Sequence, residues 1–204
     1  MNALIRNIIF DLGNVLLNFQ PKQFLTRFIN DENQINDFFA KVIKNELWLN
    51  LDRGRISLDD ARDEYIAKFP EENELIITFF NHWKEMLTPI NPNINILHEL
   101  KANGYSLYAL SNFIEEAFEY VQNRYSFFNL FEGKVISSEI KYIKPEVQIY
   151  QHLIKTYNLD PEECVYIEDV AAFLIPAKNL SMRVIHYTPR TDLRKELRKI
   201  GVKI

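Results

Sequence analysis

Four places along the chain carry side chains whose types suit phosphoryl chemistry. They are Asp11, the pair Ser111-Asn112, Lys144 ahead of Pro145, and the acidic pair Glu168-Asp169. Asp11 has the makings of a nucleophile that takes a phosphoryl group as an aspartyl phosphate. A phosphate brings negative charge up to that carboxylate, so a dication is needed to offset the repulsion. Asp169, with Glu168, would hold Mg²⁺ together with Asp11, and a backbone carbonyl at Gly13 would complete the shell. Lys144 would neutralise charge on the transferring oxygens and hold Asp11 in place. The Ser111 hydroxyl and the Asn112 amide would donate to the same oxygens. Each residue also has a plainer reading. Strands end in polar residues because they end at water, and Asp11 sits where a turn residue would cap the next segment. The set, in this order, is more specific than any one member.

Each of these residues follows or ends an apolar run. NIIFD at 7–11, YSLYALS at 105–111, GKVIS at 133–137, CVYIED at 164–169 and MRVIHY at 182–187 read as buried strands. Amphipathic segments lie between them: INILHELKANG with Gly104 as a stop, EEAFEYVQNRY, VQIYQHLIKTYN, and AAFLIPAKNL with Pro176 near its first turns. TDLRKELRKIG closes the chain, with Thr191 as candidate N-cap. Strands alternating with helices predict an α/β fold, a Rossmann-like parallel sheet flanked by helices. Ligands in such sheets bind outside the carboxyl ends of the strands, where these four places would meet. One long gap breaks the rhythm. QPKQFLTRFIN, NQINDFFAKVIKNELWLN, SLDDARDEYIAKF and ENELIITFFNHWKEML all show helical spacing, punctuated by Gly54 and Pro70. Residues 16–86 are therefore expected to form an inserted helical cap domain, and 1–15 with 87–204 the core domain.

Composition narrows the function classes. Of 204 residues, 47% are hydrophobic and 25% charged, ordinary for a globular chain with one core and a smaller lobe. The formal charge is -4 and no basic block argues for nucleic acid. No apolar run approaches a membrane span, and the N-terminus lacks a charged head followed by a long apolar segment. Cys164 is the only cysteine, so a reducing cytoplasm is expected, and its place at the start of an apolar run marks it as buried filler. His82, His98, His152 and His186 show no metal-ligand spacing. A monomer and a homodimer both remain open, since the apolar surplus of the cap would support a dimer.

The motifs resemble those of the haloacid dehalogenase superfamily. FDLGNV is similar to its first motif, LSN to its second, KPE to its third and IED to its fourth, a match that runs from Asp11 to Asp169. The helical insertion resembles the cap that one subclass carries between motifs one and two. DLGNVLL, LDRGRIS and KPEVQIYQ are similar to the bacterial α-glucose-1-phosphate phosphatases and the N-terminal phosphatase domain of soluble epoxide hydrolases. The resemblance implies a Mg²⁺-dependent hydrolase of a small phosphorylated metabolite.

Two departures stand out. Most phosphatases of this superfamily have a second Asp two residues after the nucleophile, which protonates the leaving group and then activates water. Here Gly13 stands there. Losing such help typically costs about 10²–10⁴-fold in rate. Three readings follow: a phosphatase whose leaving group departs easily, such as a sugar 1-phosphate or acyl phosphate; a dehalogenase, since halide leaves without a proton; or a catalytically weak binding module. Haloacid enzymes pair the nucleophile with an arginine and an aromatic cradle, and Arg53 and Arg55 lie in the cap. After IED, Phe173 and Ser181 replace a common Asn and Gly. The Asn would have supported the metal shell or Lys144, a loss of about 10–100-fold, so a slow or narrow enzyme is expected. Asn14 and Asn18 would orient water or simply fix the turn. Trp48 and Trp83 read as packing, with Trp48 or Arg53 as residues that would face substrate across the cleft.

Overall fold

The computed structural model describes residues 4–204; the first three residues of the expected core segment lie outside the described residues. Five parallel strands form one sheet in the order β3-β2-β1-β4-β5. They are β1 (Asn7–Phe10), β2 (Ser106–Ser111), β3 (Gly133–Ile136), β4 (Cys164–Glu168) and β5 (Arg183–His186). Their near-continuous apolar composition follows from burial on both faces. Ile8, Phe10, Leu107, Ala109 and Ile167 belong to the core on one face; Ile9, Tyr108, Leu110, Val135 and Tyr166 belong to the other. The chain runs outward from β1 through β2 to β3, then crosses back to β4 beside β1. The direction of winding therefore reverses between β1 and β4, and a crevice opens at their carboxyl ends.

The segment between β1 and β2 is helical. It holds α1 (Pro21–Leu25), α2 (Glu32–Val42), α3 (Glu46–Asp52), α4 (Leu58–Lys68), α5 (Asn73–His82) and α6 (Asn91–Ala102). The long pattern at 33–50 is two helices rather than one. Asn45 interrupts it, and its side chain accepts from Leu47 N–H at 3.0 Å to start α3 afresh. Phe24, Phe38, Trp48 and Phe80 pack around Phe79 in tilted and edge-to-face pairs. This cluster is continuous with the apolar face of the sheet below it.

The turn after α3 is fastened to the segment following β3. That segment begins with the one-turn α8 (Ser137–Ile140). Ser137 Oγ–H donates to the Asp52 carbonyl, Lys141 Nζ donates to the Gly54 carbonyl at 2.6 Å, and Arg53 grips Glu146 through two bonds of 2.8 Å. Gly54 is required here. Its φ is +63°, and a Cβ would stand 2.4 Å from the Ser138 carbonyl oxygen.

The remaining helices are α7 (Glu115–Arg124), α9 (Val147–Tyr157), α10 (Ala171–Asn179) and α11 (Leu193–Lys199). One local expectation is corrected. Asp192, not Thr191, caps α11, accepting from Lys195 N–H at 3.0 Å; Thr191 is one residue too early and bonds Thr188 instead. Pro176 stands at the sixth position of α10, in its second turn, as expected. Ser181, where the superfamily favours glycine, takes a left-handed φ of 72° after α10. That conformation costs a residue with Cβ about 1–2 kcal/mol, part of which glycine returns as greater backbone entropy when unfolded. Ser181→Gly is expected to raise stability by about 0.5–1 kcal/mol, measured by urea unfolding.

Candidate active site

The first strand delivers Asp11 to the crevice. Its N–H donates to the Ile167 carbonyl at 2.9 Å, continuing the pairing of β1 with β4 by one residue. The residue is 5% exposed. One oxygen, Oδ1, accepts from Ser111 Oγ at 2.8 Å and from Lys144 Nζ at 2.7 Å. Lys144 Nζ also donates to Glu168 Oε2 at 2.6 Å and lies 3.1 Å from the Tyr166 hydroxyl. The Tyr166 hydroxyl donates to the same Glu168 oxygen, and Val170 N–H donates to Oε1 at 3.0 Å. Both oxygens of Glu168 are thus engaged in holding Lys144 and the turn after β4.

Asn112 is placed beside this group, but its side chain is committed to the backbone of Lys144. It donates to the Lys144 carbonyl at 3.1 Å and accepts from Lys144 N–H at 2.7 Å. This two-bond clasp fixes where the lysine leaves the chain. Asn14, at a left-handed φ of 53°, donates to Asp169 Oδ2 at 3.1 Å and accepts from Phe19 N–H and Gln20 Nε2. Asn14 therefore ties the loop after β1 to Asp169. Asn18 points elsewhere, donating to Thr88.

Asp11, Glu168 and Asp169 each offer an oxygen within 4.8 Å of the others. Three carboxylates against the one ammonium of Lys144 leave two negative charges in a buried cluster. The consequence shows in their acidities. Burial, then the Glu168 charge, pushes Asp11 up to about 7 against the pull of Lys144. Burial and the Glu168 contact push Asp169 up to about 6. Burial would raise Glu168 too, but Lys144 and its hydrogen bonds bring it below its ordinary value. Lys144 is raised: burial opposes its charge, and the two carboxylates outweigh that. A dication fits this cluster by charge and by its all-oxygen donors, with Asp11 Oδ2 and Asp169 left the freest.

Phe173 has a use here. Its ring centre lies 5.2 Å from Lys144 Nζ, and the Tyr166 ring lies 5.8 Å away. A desolvated cation over an aromatic face gains about 2 kcal/mol. Where an Asn would support the lysine by a hydrogen bond, this chain supports it by an aromatic face.

A cavity of about 160 Å³ opens over the carboxylates. Its far walls are apolar, including Phe19, Trp48, Trp83, Leu87, Phe113 and Ile114. Trp48 thus faces the cavity, while Arg53 is turned to Glu146 and no arginine lines the space. Among the described residues, Trp83 Nε1 and Ser138 Oγ are the buried side-chain polar atoms without a partner. Asp52 also lines the cavity, a residue the sequence reading passed over in favour of its arginine neighbours. The available signal was its place just ahead of Gly54 in LDRGRIS. Cys164 is buried, donates to the Asp160 carbonyl, and is pushed up to about 12 by burial, as an inert filler would be.

Several known proteins are similar to this chain. A sesquiterpene phosphatase of Aspergillus oryzae is 24% identical over 200 residues, covering 98% of each chain. A haloacid dehalogenase family enzyme of Bacteroides thetaiotaomicron, solved with magnesium and inorganic phosphate, superposes with a TM-score of 0.74 at 22% identity, covering 95% of this chain and 100% of that one. The L-2-haloacid dehalogenase of Xanthobacter autotrophicus, with chloropropionic acid covalently bound, gives 0.68 at 15% identity, covering 98% of this chain and 85% of that one. The fold therefore serves both chemistries. The family model for haloacid dehalogenase-like hydrolases matches residues 5–179. That match spans most of the chain, which therefore belongs to the haloacid dehalogenase-like hydrolases.

Proposed function

We propose that this hydrolase is a Mg²⁺-dependent phosphatase acting on a small phosphomonoester, with Asp11 as nucleophile. The observation that carries the reading is the Asp11 carboxylate held by Ser111 and Lys144 within an acidic cluster of net charge needing a dication. Mg²⁺ would be held by Asp11, Asp169 and the Gly13 carbonyl, with Glu168 serving mainly to lock Lys144. Bound there, the metal would neutralise the excess carboxylate charge and that of the incoming phosphate. The chain's own groups do the rest. Ser111 and Lys144 hold the Asp11 carboxylate in a fixed orientation for attack on phosphorus. Lys144 and Ser111 then offset charge as it moves onto the transferring oxygens. Asn112 contributes by clasping the Lys144 backbone. The helices between β1 and β2 act as the cap, and their aromatic wall keeps bulk water from the aspartyl phosphate.

The apolar lining favours a substrate whose body is apolar over a polyhydroxylated sugar. The cavity volume is close to that of an engineered cavity able to hold benzene, roughly 150 Å³, so it suits a phosphoryl group with a short apolar stem. The sesquiterpene phosphatase relative, whose name implies a longer apolar body, supports an apolar ester in general.

The test is phosphate release from a panel of prenyl and short alkyl monophosphates, sugar 1-phosphates and flavin mononucleotide, with Mg²⁺ or with EDTA. Release that requires Mg²⁺ and is fastest for the apolar esters is expected. Phosphate release indifferent to EDTA would overturn the metal assignment. Chloride release from a 2-haloacid, with none of phosphate, would return the dehalogenase reading despite the absence of an arginine in the cavity.

A further inference from the structure

We propose that Asp52, carried by the inserted helices, is the general acid and base that Gly13 cannot supply. The inference rests on the phosphatase reading and deepens it. Asp52 ends α3 and lines the same cavity as Asp11. It is not one of the clustered carboxylates Asp11, Glu168 and Asp169. A group on the cavity wall outside that cluster is where a proton donor is needed, since the leaving oxygen departs on the side of phosphorus opposite to Asp11.

The backbone fixes Asp52 in place. Its own carbonyl accepts from Ser137 Oγ, which also receives Phe113 N–H at 2.9 Å. The next two residues are pinned through Arg53 to Glu146 and through the Gly54 carbonyl to Lys141. The charged groups of this turn thus neutralise one another, and none is spent on Asp52. Glu116, from α7, accepts Leu58 N–H, and Tyr65, from α4, donates to the Val42 carbonyl. Asp52 shares the cavity lining with Asp11 and Lys144. No side chain of the described residues donates a hydrogen bond to its carboxylate. A half-buried carboxylate with no hydrogen-bond donor holds its proton more tightly than one in water, and desolvation, moderated by Lys144 and reinforced by Asp11, pushes Asp52 up to about 7.

The steps balance. Asp11 attacks phosphorus and the ester P–O bond breaks. The leaving oxygen takes the proton of Asp52, giving an alcohol, the aspartyl phosphate and an Asp52 carboxylate. Water then attacks phosphorus and yields a proton to Asp52. The P–O bond to Asp11 breaks, its electron pair returns to the Asp11 carboxylate, and inorganic phosphate leaves. Asp52 is again protonated.

The experiment compares wild type, Asp52→Asn and Asp52→Glu on an alkyl phosphomonoester and on 4-nitrophenyl phosphate, each with Mg²⁺ and across pH. Asp52→Asn keeps the side-chain shape and removes a charge that burial disfavours, so folding is expected to survive; circular dichroism and thermal unfolding check it. On the alkyl ester the variant is expected to lose about 10²–10⁴-fold in turnover. On 4-nitrophenyl phosphate, whose leaving group needs no proton, it should give a burst of one nitrophenolate per enzyme before a slow phase. The pH limb near neutrality should vanish in Asp52→Asn and persist in Asp52→Glu with partial activity. Turnover in Asp52→Asn within a few-fold of wild type, with the same pH profile and no burst, would overturn the proposal and leave the phosphatase reading standing. A wild type that releases no phosphate from any ester would overturn both.

Discussion

Exchange of Asp11 for asparagine is expected to abolish turnover, by on the order of 10⁶-fold, as removal of a covalent nucleophile does. An amide nitrogen or carbonyl in its place is a poor nucleophile toward phosphorus, and no other carboxylate occupies the focus of Ser111 and Lys144. The fold should tolerate the exchange, because Lys144 keeps its bond to Glu168 at 2.6 Å. A second signature separates this from simple unfolding. The pKa of Asp11 is raised to about 7, mainly by burial, so between its ordinary value and there the folded chain binds more protons than the unfolded one. Its contribution to stability therefore falls as pH rises through that window. Urea unfolding of the metal-free proteins at pH 5 and pH 8 should show a smaller loss in Asp11→Asn than in wild type. Added Mg²⁺ should shrink the wild-type loss, since a bound dication favours the charged carboxylate. Phosphate release by Asp11→Asn at a tenth of the wild-type rate or faster would rule out the assigned nucleophile.

Lys144→Met should damage both activity and the fold. The lysine side chain is 1% exposed and is the cation that faces Asp11 and Glu168, themselves buried. Removing one member of a buried ion pair leaves charge uncompensated and costs about 3–5 kcal/mol. Methionine keeps the length and fits beside Phe173 and Tyr166, so the loss reports charge rather than a hole. The carboxylates can escape by taking up protons, so the penalty should be largest at pH 8 and shrink toward pH 5. Urea unfolding in EDTA at the two pH values measures it, and a pH-independent loss would point to packing instead. Turnover should fall together with stability, since the same ammonium positions the Asp11 oxygen and faces the phosphoryl group.

The strands were legible because a parallel sheet buried on both faces leaves an unbroken apolar run, and each expected strand lies within one residue of the observed one at either end. The site was legible for a related reason. Four of those runs lead to the same edge, so residues far apart in sequence, such as Asp11 and Lys144, can be placed together before any contact is known. The inserted helices were harder. The break at Asn45 was hidden because apolar spacing continues across it, and the cap that restarts α3 is a local hydrogen bond. Asp52 was missed because its neighbourhood is made by tertiary contact. Nothing in LDRGRIS says that Arg53 will turn to Glu146 and leave the aspartate facing the cavity. Phe173 was read as a lost amide because a motif compares residue types, whereas the ring's position over Lys144 is a matter of geometry.

Gly13 carries a consequence for how such a site changes over generations. Its φ is not left-handed, and a Cβ built there would meet only Asp11 Oδ2, at an ordinary 3.8 Å. The backbone therefore does not forbid an aspartate, which the genetic code places one nucleotide away from glycine. Charge is the obstacle, since a further carboxylate would join three that already share one lysine. Positions 13 and 52 thus become two addresses for a single proton-carrying group, and a lineage can move that group between the sheet edge and the inserted helices by point changes, without rebuilding either.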